Sequence, residues 1–106
     1  MLLTIAERLM VQSVLPSKSD YLTLCVARDV RDAVDFTQDE IAMGGIRATE
    51  KGYKWAPEVD TDEADIELGE AETGLIVIEL KKLNEGRSLT DNHYSIYRKF
   101  VLGEKE

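Results

Sequence analysis

At 106 residues the chain is the size of one domain, 1–106, and its 43% hydrophobic residues can fill a core without disulfides or a structural metal. A net charge of −8, from 13 basic and 21 acidic side chains, argues against a generic nucleic-acid footprint and against anionic membranes. No apolar run approaches the roughly 18 residues of a membrane span, the start lacks a basic leader region, and the lone Cys25 has no internal disulfide partner, which fits a reducing, cytoplasmic setting.

Thr4-Ile-Ala-Glu7 has the form of a capping box and predicts a helix to Val14. Ile5, Leu9, Val11 and Val14 supply its apolar side, with Leu3 and Met10 widening that face; Leu15-Pro16 ends it. Tyr21 to Asp35 predicts a second helix, with Leu22, Val26, Val30, Ala33 and Val34 inward and Cys25 beside them. The alternation Tyr21-Leu-Thr-Leu-Cys-Val26 would also allow a strand. A second capping box, Thr37 with Glu40, predicts a short helix that Gly44-Gly45 breaks, and Phe36 with Ile41 has the spacing of a hydrophobic staple. Residues 46–56 read as a β-hairpin with a three-residue connection, Glu50-Lys-Gly52. Glu58 to Glu63 reads as a solvated acidic loop, and Ala64 to Leu68 as a short edge strand with Ile66 and Leu68 inward.

The densest apolar run, Leu75 to Ile78, lies in a segment from Glu70 to Glu85 that predicts the central helix. Acids crowd its start, lysines its end, and Gly86 stands at the cap position. Ile76, Leu80 and Leu83 form its stripe. Leu75, Val77 and Ile78 cover much of the rest of the first half, which predicts protein on all sides there. Gly74 inside this helix predicts close approach of a neighbouring backbone. The same apolar run would also suit a strand buried on both faces. Thr90 caps a last helix with His93, Ile96, Tyr97 and Phe100 inward and Tyr94 and Val101 flanking. Leu102 to Glu106 is expected to fray. The expected architecture is α+β: four to five helices packed with a small antiparallel sheet, made of hairpin 46–56 plus strand 64–68.

Little in this pattern carries chemistry. Cys25 and His93 would form a nucleophilic dyad only if the fold brought them together, and each reads more simply as a structural residue. Asp60-Thr-Asp62-Glu-Ala-Asp65 opens with EF-hand spacing, but Ala64 then takes a ligand position and Ala71 stands where the bidentate glutamate belongs. No dinucleotide, phosphate-loop or hydrolase-elbow motif is present. No cofactor and no metal are expected, and an enzyme is the least favoured class.

The charge is uneven. Residues 58–72 hold eight acids and no Lys or Arg, so the remainder of the chain sums to zero. Such a surface attracts basic partners. Asp60, Asp62, Glu63 and Asp65, with Tyr53 and Trp55 on one face of the hairpin, are therefore the candidate partner-binding residues; the competing reading is solvated loop and core rim. Taken together, Ile5-Ala-Glu-Arg-Leu9, Arg28-Asp-Val-Arg-Asp32, Phe36-Thr-Gln-Asp-Glu40, Tyr53-Lys-Trp55 and Ile66-Glu-Leu-Gly69 resemble small proteins encoded by bacteriophages and prophages. The resemblance spans most of the chain and implies a mobile-element origin and work inside a bacterial host, with no activity to transfer. The expectation is a non-enzymatic protein–protein interaction module with a basic protein partner. The alternatives are an inhibitor that imitates nucleic-acid charge and a homo-oligomeric structural component.

Overall fold

The computed structural model describes residues 1–103; residues 104–106 of the segment expected to fray lie outside them. In chain order the elements are β1 (Leu2–Thr4), α1 (Ile5–Val14), α2 (Tyr21–Val34), α3 (Gln38–Gly44), β2 (Arg47–Thr49), β3 (Gly52–Lys54), β4 (Glu63–Asp65), α4 (Glu70–Glu85) and α5 (Tyr94–Phe100), with single 3-10 turns at Pro57–Val59 and Asp91–His93. The fold is α+β. Its strands make two separate antiparallel ribbons, β1–β4 and β2–β3, rather than one sheet.

The core is helical. Val11, Ala27, Val30, Val34, Ile76, Leu80 and Ile96, one to three from each of α1, α2, α4 and α5, are wholly excluded from water, and Leu3 joins them from β1. Both capping boxes form as the sequence predicts. Thr4 Oγ1 accepts from the Glu7 amide and Glu7 Oε1 from the Thr4 amide; Thr37 and Glu40 repeat the exchange at α3. α4 runs over the predicted range, so the densest apolar run is a helix and not a strand.

Several details differ from expectation, each for a tertiary reason. Leu3 does not widen the face of α1 but lies in β1, whose partner β4 is distant in sequence. In α2 the expected Val30 and Val34 are buried and Val26 and Ala33 pack partly buried against the core, but Ala27 joins them while Tyr21 and Leu22 in the first turn are exposed. The hairpin connection is Glu50-Lys51 alone: Thr49 pairs with Gly52, whose φ of 113° lets the turn close in two residues. The strand expected at 64–68 covers 63–65 and pairs with β1 instead of extending the hairpin. α4 is not enclosed around its first half, since Ile78 is 53% exposed. No backbone approaches Gly74 either: a Cβ built there meets nothing within 4 Å. Phe36 packs beneath the Arg8 guanidinium, 4.4 Å from its ring centre, and Ile41 is 37% exposed. Among the described residues no helix is long and apolar enough to cross a membrane.

Candidate partner-binding site

Two basic side chains at core-facing helix positions organise one side of the molecule. Arg8 follows Ile5 by one turn of α1 and is 2% exposed. Its Nε donates to the Val34 carbonyl at 3.0 Å, Nη2 donates to the Asp35 carbonyl at 2.6 Å, and Nη1 and Nη2 together grip the Glu40 carboxylate. The last carbonyls of α2 and the first turn of α3 are thus tied to α1 through one planar fork, the geometry that suits arginine rather than lysine. The Arg8 guanidinium, helped by the Thr37 amide, outweighs desolvation and holds the Glu40 carboxyl at a pKa of about 2.

Lys99 stands one turn after Ile96 on α5. Its Nζ donates to Glu7 Oε1 at 2.8 Å, to Glu63 Oε2 at 2.9 Å and to the Leu2 carbonyl at 2.9 Å. Its side chain is 9% exposed and that of Glu7 is 7% exposed. For Glu7, burial alone would push the carboxyl up; the hydrogen bonds from Lys99, the Thr4 amide and Ser95, with the Lys99 charge, overcome this and leave it lowered. Burial likewise works against the Lys99 ammonium, and the two carboxylates overcome it, so its pKa is raised.

Beside Arg8, and lined also by the Lys99-bound Glu63, lies a cleft of about 270 Å³. Its apolar lining comes from Leu3, Ile5, Met43, Ile46, Val59 and Ala64. Asp39, Glu40, Asp62 and Glu63 also line it, four acids against the single cation Arg8. Glu40 is held by Arg8 and Glu63 by Lys99, which leaves Asp39 and Asp62 with no ion pair among the described residues. α3 sets one wall, and the Ala56 amide donating to the Gly44 carbonyl at 2.8 Å fixes the end of α3 to the chain leaving the hairpin. Met43, 84% exposed, offers a flexible thioether at the mouth. A broader depression of about 700 Å³ runs along α5 beside Leu89, Tyr94 and Tyr97, but its charged residues, Asp91 and Arg98, balance.

The residues predicted from sequence divide between places. Asp62 and Glu63 line the cleft. Asp60 accepts a hydrogen bond from the Trp55 indole at 2.9 Å, so these two form one local unit and Trp55 is half-buried. Asp65 lies 3.0 Å from the Met1 amino nitrogen. Tyr53 projects from the hairpin, 52% exposed, and does not line the cleft. His93 Nδ1 lies 3.0 Å from the Thr90 amide and closes the turn before α5. Leu3, Ile5, Arg8, Asp39, Met43 and Lys99 were not singled out as site residues. The signal for Arg8 and Lys99 was a charge at core spacing, three residues beyond Ile5 and Ile96. Compared with models of protein families, with curated proteins and with solved structures, the chain matches none.

Proposed function

We propose that the protein is a non-enzymatic interaction module that recruits a basic protein segment to its acidic 58–72 surface through the cleft beside β4. The observation that carries this reading is the cleft itself: an apolar floor large enough for one or two side chains, rimmed by acids of which Asp39 and Asp62 have no ion pair among the described residues. A cation on a partner gains from both charges, while the apolar stem beneath it covers Met43 and Ile46. The resemblance to phage and prophage proteins supports a target inside a bacterial host. The test is capture of a partner at low and at high salt by the wild-type protein and by the double variant Asp39→Asn, Asp62→Asn. Capture is expected to weaken steeply with salt and to fall in the variant, whose circular dichroism stays unchanged. Capture insensitive to both changes would remove the cleft from the account.

A further inference from the structure

The two strands of the β1–β4 ribbon present unequal outer edges. Leu2, Leu3 and Thr4 face Asp65, Ala64 and Glu63. The Ile66 amide donates to the Met1 carbonyl at 2.8 Å and the Met1 amino group donates to the Ile66 carbonyl at 3.0 Å, which makes Met1 and Ile66 a hydrogen-bonded pair. By the alternation of an antiparallel ladder, Leu3 and Ala64 form the next such pair, and Leu2, Thr4, Glu63 and Asp65 aim their peptide groups outward. On β1 this outer edge is occupied: the Leu2 carbonyl accepts from Lys99 and the Thr4 amide donates to Glu7. On β4 the outward amides and carbonyls of Glu63 and Asp65 have no partner among the described residues, and both residues are exposed. An open edge of this kind is a template for another strand.

We propose that β4 takes a third strand from a partner: an extended segment in which lysine or arginine alternates with apolar residues. This rests on the interaction reading above and specifies its geometry. Residues directly opposite one another share a face of a sheet. An apolar residue opposite Ala64 continues the apolar row of Leu3 and Ala64, and basic residues opposite Glu63 and Asp65 meet carboxylates that each keep one oxygen, Oε1 and Oδ2, outside the contacts with Lys99 and the Met1 amino group. Main-chain pairing then supplies affinity, and alternation of charge with apolar volume supplies selectivity. Lys99 holds Glu63 through Oε2 and the Met1 amino group holds Asp65 through Oδ1, so the incoming cations are to share these carboxylates through their second oxygens.

The probe is an alternating lysine–valine peptide with blocked ends, compared with two N-methylated forms and titrated by NMR at low salt. In the bound register the lysine amides point at β4 and the valine amides point away. Methylating the lysine amides is expected to cost about tenfold or more in affinity, the loss of one or two backbone hydrogen bonds. Methylating the valine amides is expected to leave binding unchanged. Hydrogen exchange at the Glu63 and Asp65 amides should slow in the complex. Equal affinity of all three peptides, or protection elsewhere, overturns strand addition while leaving the acidic-cleft reading intact. Absence of binding by any of them also overturns strand addition; the broader reading stands or falls by the salt-dependent capture.

Discussion

Replacing Lys99 by methionine tests whether the paired charges hold the β1–β4 ribbon to the helices. Methionine keeps the aliphatic stem and removes the ammonium, so lost packing contributes little. What remains is Glu7, 7% exposed, with its main counter-charge gone. Removing one partner of a buried pair costs about 3–5 kcal/mol, because the other charge is left uncompensated. Glu7 still accepts from the Thr4 amide at 2.9 Å, which places the expected cost near the lower end, about 3 kcal/mol. At about 4–8 °C per kcal/mol for a domain of this size, the melting temperature should fall by more than about 10 °C. Chemical denaturation at pH 7 measures the loss directly. Two signatures separate the electrostatic cause from a packing defect. The loss should shrink as the pH drops and the stranded Glu7 takes up a proton, and adding Glu7→Gln to Lys99→Met should restore at least about 1 kcal/mol. A loss below about 1 kcal/mol, the value of an exposed pair, would refute the reasoning, as would a double variant no more stable than the single one.

Gly74→Ala should stabilise the protein by about 1 kcal/mol, since the new methyl meets nothing within 4 Å and alanine is the better helix former; a destabilised variant in a melting experiment would show that something packs there in solution. Glu40 has a depressed folded pKa of about 2, so its contribution is complete above its ordinary value and is lost as the pH falls toward 2. Glu40→Gln should accordingly weaken the protein at neutral pH and flatten the acid limb of its stability curve, read by denaturation at pH 7, 4 and 3. Ile78→Lys should change stability by less than about 0.5 kcal/mol if the exposed flank of α4 faces water; a shift to smaller species in light scattering would instead show that this flank joins copies of the chain.

Local grammar was readable in the residues. Thr4 with Glu7 and Thr37 with Glu40 specify their own helix starts, and Glu70 to Glu85 carries acids, lysines and a terminal glycine in helical order. What was not readable depended on partners far away in sequence. Leu2-Leu-Thr4 is too short to declare itself a strand without Glu63–Asp65 opposite it. The face of α2 that turns inward is chosen by α1 and α4, and this choice leaves Leu22 outside while burying Ala27. The candidate site was legible in its charge, since Asp62 and Glu63 are among the predicted residues. Its apolar lining was not, because Leu3, Met43, Ile46 and Val59 meet only after the helices assemble.

The pairing of Leu3 with Ala64 carries a kinetic consequence. Most of the remaining structure consists of helices and one tight hairpin, which form from neighbours and collapse rapidly. The β1–β4 ribbon must instead close a long intervening loop before any of its bonds is made, against an entropy that only the finished helical core offsets. A nascent polypeptide would therefore acquire its open β4 edge last, after the surfaces most prone to mispairing are already covered.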